Sequence, residues 1–365
     1  MNYKKKIDIE LREYENNINI HNLPQAAHYY HSKYVNKEME NSIGISSFEA
    51  LVIKYINLIK QEKPEKEIKL LSLGSGNCDI EINLALSCNF QGEFYCYELN
   101  PKMLERAKQN ANERGINNFI FIQDDINKIK IQEKFDIVLA IQSLHHFVEL
   151  EHIFDEVNGC MTEKSFFIIN DMIGRNGHMF WENSYYVYNA IWNILPKELK
   201  YNHITKKYYK KRKRPDFWGE NLEGIRAQDI LPLLDRKFKF VVFAPFSAVV
   251  NFFTNRDFGY SFDLNNDLHL SILDMLCTYD NFLLKNKLLK PTQLLAAMAK
   301  KDAEISEYKY LYFENPKDAY IQDEKKIYNY FDYSIFTILD YKLWEIVKPF
   351  RNLAKKIYWR MLIKK

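Results

Sequence analysis

The residues best placed to do chemistry begin with two glycines one residue apart. Leu71-Ser72-Leu73-Gly74-Ser75-Gly76-Asn77-Cys78-Asp79 closes a short apolar run. Glycines at 74 and 76 let the backbone turn tightly and approach a ligand that a Cβ would exclude. Glu98 stands at the tip of a second apolar run, EFYCYEL. A carboxylate about 20 residues beyond such a turn can accept both hydroxyls of a ribose. Gln123-Asp124-Asp125-Ile126 ends a third run, where a polar side chain meets an adenine edge. With Leu99 and Gln142, these residues make the candidate cofactor set. A fourth run ends in Gln142-Ser143-Leu144-His145-His146, and a fifth in Asn170-Asp171, with Arg175-Asn176-Gly177-His178 behind it. A histidine near neutrality is the natural base for a hydroxyl. His145, His146 and His178 are therefore the candidate bases, with Asp171 to orient one of them or to bind a substrate hydroxyl. Ordinary packing and capping are the competing roles for all four. A metal held by Asp171, His145 and His178 has no diagnostic ligand spacing, so no metal is assigned.

The elements that must position these residues alternate. Apolar runs at IKLLSL, EFYCYEL, FIFI, FDIVLAI and SFFIIN read as strands. Ile80 to Leu86, Pro101 to Gly115 and Leu150 to Cys160 read as the helices between them. Asn100-Pro101 is a helix start, with an N-cap residue before a first-turn proline, and Gly115 is its stop. The fold class is α/β, a Rossmann-like, doubly wound, mostly parallel sheet. It carries a helical N-terminal cap (1–66), a core (67–260) with an inserted lid about 172–226, a helical extension (261–301), and a charged connector with a basic tail (302–365). Within the later segments, FKFVVFAPF and AVVNFF read as strands. LHLSILDMLCTYDNFLL reads as a helix, as does TQLLAAMAKK after Pro291.

A dinucleotide or S-adenosylmethionine fits a glycine turn plus a ribose acid. The third position of the GxGxxG pattern is Asp79, whose carboxylate would repel a pyrophosphate seated on that helix start. S-adenosylmethionine is cationic, which favours the methyl donor. LSLGSGNCD, YCYELNPKMLERA, QDDI and FDIVLAIQSLHHF together resemble the class I S-adenosylmethionine-dependent methyltransferases over about residues 68–171. The resemblance implies Gly74 and Gly76 at the methionine part, Glu98 at ribose, and Asp125 or Asp124 at adenine. Two residues depart from the pattern: Ser72 stands where the family often has an acid, and Cys78 where a third glycine is common. IINDMIGRNGHM, EGIRAQDILPLL, NRDFGYSFD and LLKPTQLLAAM resemble a bacterial subgroup associated with surface-glycan gene clusters, extending the likeness to about residue 300. In EGIRAQDI, the polar residues Glu223, Arg226, Gln228 and Asp229 either meet the acceptor or cap a helix.

Composition sets outer limits. The 365 residues are 47% hydrophobic and 27% charged, with 25 Tyr and 25 Phe, the composition of a folded chain rather than a disordered one. No run of about 18 consecutive apolar residues occurs. The basic start lacks the apolar segment of a secretion signal. Five cysteines without CxxC pairing suit reduced thiols in a cytoplasmic protein. The net charge of +3 conceals a tail, 341–365, with eight basic residues against Glu345. Its apolar stripe of Phe350, Leu353, Ile357 and Met361 fits either an anionic membrane surface, on the inner face, or a docking partner. KKYYKKRKR from Lys206 to Arg214 suits a phosphate-binding loop, a nucleic-acid surface or simply a solvated lid loop. Ile141-Gln142-Ser143 replaces the turn that stacks a flipped base, which disfavours nucleic acid as partner. The aromatic stretch from Phe180 to Trp192 offers either faces for a sugar ring or an ordinary core helix. The expected activity is O-methylation of a sugar or glycan precursor. RNA or protein methylation and a non-catalytic donor-binding module are the alternatives.

Overall fold

Apolar runs bounded by turn residues become strands where both faces are covered, and this chain buries them that way. A computed structural model describes residues 3–16, 22–62, 64–211 and 222–320. The first helices are α1 (Tyr3–Asn16), α2 (Gln25–Tyr30), α3 (Asn36–Ile43) and α4 (Phe48–Glu62). Alternation follows through β1 (Lys69–Leu73), α5 (Asp79–Ser87), β2 (Glu93–Glu98), α6 (Pro101–Glu113), β3 (Phe119–Gln123), β4 (Phe135–Ile141), α7 (Leu150–Cys160) and β5 (Met161–Met172). After β5 come α8 (Glu182–Ile194), the short hairpin β6 (Tyr201–Asn202) and β7 (Lys207–Tyr208), α9 (Ala227–Lys237), β8 (Phe238–Phe246) and α10 (Asn251–Thr254). The last elements are α11 (Asp267–Lys285), β9 (Gln293–Lys300) and β10 (Lys309–Tyr310).

Eight strands form one sheet in the order β10-β8-β9-β5-β4-β1-β2-β3. The pairs from β3 across to β5 are parallel, and β9 runs antiparallel between β5 and β8. The chain leaves β1 in one direction towards β3 and returns through β4 towards β5. The strand order therefore reverses between β1 and β4, where a crevice opens at the carboxyl ends. Apolar clusters cover both faces of the sheet. Local signals act as expected at α6: the Asn100 side chain accepts from Lys102 N at 3.0 Å, and Gly115 ends the helix at φ +71°.

Three segments differ from their sequence reading. TQLLAAMAKK, expected as a helix, is β9. Alanine and leucine favour helices in isolation, but Leu294, Ala296, Ala297 and Met298 fill a slot in mid-sheet where only small or slender apolar side chains are covered on both faces. The region 261–301 is thus a helix plus a core strand, not a helical extension. AVVNFF, expected as a strand, turns into α10, because the buried Asp280 carboxylate takes the backbone N–H groups of Ala248, Val249 and Val250. The stretch from Phe180 to Trp192 is α8 and its lead-in. Phe180, Tyr188 and Trp192 are buried against Phe252, Phe253 and Phe258, so they are core residues and not a sugar platform.

Helices α2 to α4 lie within a helical stretch, Gln25–Glu62, long and apolar enough to cross a membrane by composition. Their apolar side chains, among them Tyr30, Met39, Leu51 and Tyr55, are buried in the protein. The basic tail and Arg212 to Arg214 lie outside the described residues.

Candidate active site

The loop after β1 is built for close approach. A Cβ on Gly74 (φ +69°) would lie 2.8 Å from the Ser143 Cβ, so this turn and the turn after β4 touch across the switch point. Gly76 (φ +57°) donates its N–H to Glu98 Oε2 at 2.9 Å, while Asn100 N–H donates to Oε1 at 2.8 Å. Glu98 is half-buried at the tip of β2, and burial raises its carboxyl despite those amides. Cys78, in the third-glycine place, holds a left-handed φ of +56° that glycine would adopt without cost. Asp79 opens α5 and accepts from Asn110 Nδ2 at 2.9 Å.

The departure at Ser72 has a partner that sequence reading missed. Glu81, one turn into α5 and 3% exposed, sets its Oε1 2.7 Å from Ser72 Oγ. A carboxyl group therefore stands at this place in the loop, supplied by the helix rather than by the strand. Burial is the main force pushing it up to about 7.

At the tip of β3, Asp125 is half-buried, Asp124 and Gln142 are exposed, Leu99 is half-buried and Ile126 is buried. Burial opposes ionisation of Asp125, and hydrogen bonds from Lys128, Tyr3 and Asn127 more than offset it, leaving the carboxyl below its ordinary range. The Tyr3 hydroxyl, donating at 2.9 Å, comes from α1, which sequence reading did not bring to the site. Helix α1 crosses this edge of the sheet. Its Leu11 carbonyl accepts from Asn100 Nδ2 at 3.3 Å, and Glu10 Oε1 lies 2.5 Å from His146 Nδ1.

The two ends of the crevice are joined by Asp171. Its Oδ2 accepts the N–H groups of Ser143 at 2.8 Å and Leu144 at 2.7 Å, and its Oδ1 lies 2.6 Å from His145 Nδ1. His145 Nε2 then faces Glu223 Oε1 at 3.5 Å, which also meets His178 Nε2 at 2.6 Å. His146 Nε2 is 3.3 Å from Glu223 Oε2. All four expected catalytic residues thus converge. Glu223, read from sequence only as an acceptor contact or a cap, is their hub, and nothing in its spacing shows that.

Electrostatics divide the roles. Burial works against a charge on His145, but the Asp171 and Glu223 carboxylates outweigh it and push His145 up to about 10. Between these carboxylates alone, the protonated imidazole is the favoured form, a donor from both nitrogens. Burial would raise Glu223, yet hydrogen bonds from His145 and His178 and the charge of His145 and His146 hold it far below the carboxylate range. The cluster thus sets three imidazoles around one carboxylate, Glu223.

S-adenosylmethionine fits this crevice. Gly74 and Gly76 keep the loop bare of side chains, and Glu98 retains lone pairs beyond its backbone amide donors. Asn77 Oδ1 and Asn170 Oδ1, at the carboxyl ends of β1 and β5, are buried without a hydrogen-bond partner among the described residues. Such orphaned acceptors suit a ligand bearing an ammonium group.

A family model described as a methyltransferase domain matches residues 64–215. No curated protein matches the chain. Among solved structures, the chain is similar to the O-methyltransferase from a trans-AT PKS multienzyme of Brevibacillus brevis in complex with S-adenosyl-L-homocysteine. That match has 12% identity over 77% of this chain and 81% of that one, with a TM-score of 0.39. A protein from Pyrococcus horikoshii gives 16% identity over 69% and 90%, with a TM-score of 0.36. An S-adenosylmethionine-dependent methyltransferase from Clostridium acetobutylicum gives 19% over 36% and 56%, with a TM-score of 0.28.

Proposed function

We propose, from the match of residues 64–215 to a methyltransferase-domain model and from the crevice described above, that the protein is an S-adenosylmethionine-dependent methyltransferase acting on a hydroxyl of a sugar or glycan precursor in the cytoplasm. The bound donor supplies an electrophilic methyl group on a sulfonium. Glu98 holds the ribose and Asp125 the adenine amino group, while the loop from Gly74 to Asn77 receives the methionine end. An in-line displacement then asks the protein to orient the acceptor and to draw off its proton.

The observation that carries the hydroxyl is the cluster of His145, His146, His178, Asp171 and Glu223, adjoining the loop through Ser143. An alcohol needs such a proton acceptor, because its own proton is held far more tightly than that of a carboxylic acid or thiol. Support for a glycan acceptor comes from three of the resembled subgroup's four segments, which meet at this mouth. Ile173 N–H donates to the Thr292 carbonyl at 2.9 Å, and Gln228 N–H to Asn176 Oδ1 at 3.1 Å. Membrane association of the tail is part of the same reading and would place the acceptor on a lipid-linked intermediate.

The test is methyl transfer to a panel of nucleotide sugars and lipid-linked saccharides, with S-adenosylhomocysteine quantified and the product's methyl located by NMR. Wild type should methylate an oxygen. Glu98→Ala should bind the donor roughly five- to 150-fold more weakly in calorimetry, as expected for losing a hydrogen-bond partner to a charged group. A methyl found on nitrogen or carbon, or donor binding unaltered by Glu98→Ala, would overturn the assignment.

A further inference from the structure

We propose that His145 Nε2, His178 Nε2 and the Glu223 carboxylate together hold one divalent transition-metal ion, with a position left open for the acceptor oxygen. The role of the open position rests on the O-methylation reading; the binding of the ion does not.

Three turns deliver the ligands. His145 follows β4, His178 follows β5, and Glu223 precedes α9. One donor atom from each lies within 4.8 Å of the other two. A tetrahedral ion with nitrogen and oxygen ligands at about 2.0–2.2 Å sets its donors roughly 3.3 Å apart. The His145–Glu223 separation of 3.5 Å already matches, and the His178–Glu223 contact of 2.6 Å need only open slightly. His145 is buried, and the other two are half-buried at the mouth, where small side-chain rotations cost little.

The surroundings are those of a metal-bound imidazole. Asp171 takes the Nδ1 side of His145 and is itself fixed by two backbone amides, which aims Nε2 at the other two ligands. The backbone is bent to bring His178 in. His178 sits at φ +51° and Gly224 at φ +64°, and a Cβ on Gly224 would lie 3.1 Å from Gly177 N. A non-glycine residue in the left-handed region stores strain that a functional contact repays. Two histidines and one carboxylate with a fourth position free match the donor set of catalytic zinc. Imidazole favours zinc, iron or copper over magnesium or calcium. The ion would take the lone pair of His145 Nε2 and release the proton otherwise held there, its own charge then balanced by Asp171, Glu223 and Glu10, three carboxyl groups around the histidines.

The test uses the full chain after chelation and exchange into metal-free buffer, titrated calorimetrically with zinc chloride and separately with magnesium chloride. Zinc should bind once per chain, and magnesium should not. His178→Ala and Glu223→Gln should each weaken zinc at least 30-fold, whereas His203→Ala, in the distant hairpin, should leave it unchanged. Thermal melts establish that each variant is folded, and His178→Gln replaces His178→Ala if that one is not. Zinc-edge X-ray absorption should read two nitrogen ligands and at least one oxygen at about 2.0–2.2 Å. Binding absent from wild type, or equal in the cluster variants, would overturn the site. The two readings fail separately: metal-free protein that still methylates a hydroxyl at the full rate removes the ion's role at the acceptor, and stoichiometric zinc with no O-methyl product removes the acceptor reading alone.

Discussion

Glu81 shows how a single side chain ties the cofactor loop to pH. Its carboxyl is buried against Ser72 and pushed up to about 7, chiefly by burial, with the charges of Asp79 and Glu98 acting in the same direction. Folding therefore raises its proton affinity above that of the unfolded chain, near 4.5. Between those values the folded state binds more protons than the unfolded one. Its contribution is complete below about 4.5 and is lost as pH rises through about 7, a swing on the order of 3 kcal/mol. Glu81→Gln keeps a neutral partner for Ser72 and cannot ionise. Melts at pH 8 should put Glu81→Gln several degrees above wild type, and at pH 4.5 the two should coincide; equal melting at pH 8 would show the charged form to be well solvated. Residues of this kind divide by how sequence encodes them. Glu98 and Asp125 are legible because strand lengths fix where each strand tip falls after the glycine turn. Glu81, Glu223 and Glu10 are not, because each reaches its partner through the fold's own geometry rather than through a repeat or spacing.

Among elements, the parallel strands and the helices between them are legible in the sequence because apolar runs and caps alternate there. The misread pieces, β9 and α10, are those whose conformation is imposed from outside, by the sheet slot for β9 and by Asp280 for α10. Helix α1 belongs to a third class, legible as a helix and silent about its place. Among its described side chains, none belongs to either apolar cluster. It is held at the crevice by polar contacts, Tyr3 to Asp125, Asn100 to the Leu11 carbonyl, and Glu10 to His146. Such a helix covers the edge of the crevice at Asp125, where the proposed donor would place its adenosine. Deleting residues 1–16 should therefore speed release of S-adenosylhomocysteine by about tenfold, equivalent to roughly 1.4 kcal/mol, the scale of one or two of those hydrogen bonds. Stopped-flow displacement reads the rate, and a melting temperature within a degree or two of wild type confirms that the core is untouched. Unchanged release would mean that α1 does not gate the crevice.

At the scale of the whole molecule, Asp280 joins regions that the sequence suggests as separate. It is fully buried in α11, and burial raises its carboxyl while three backbone amides pull the other way. Those amides belong to Ala248, Val249 and Val250 at the end of β8, and the Tyr30 hydroxyl of α2 approaches the same carboxylate at 3.4 Å. The linkage continues towards the chemistry. Thr292 N–H donates to the Ser247 carbonyl at 2.7 Å, and Ile173 N–H donates to the Thr292 carbonyl at 2.9 Å. Ile173 begins the loop that carries His178. The N-terminal helices, the sheet and α11 are thus bound through one carboxylate to the mouth of the crevice. Asp280→Ala strands three buried amides at about 1–3 kcal/mol each if none relaxes to water. We expect a loss of at least 3 kcal/mol in urea unfolding, with tryptophan fluorescence and circular dichroism still reporting coincident transitions, because the regions share one apolar cluster. Two separated transitions in wild type would instead assign the N-terminal helices an independent stability, and an unchanged midpoint in the variant would show that water substitutes for the carboxylate at no cost.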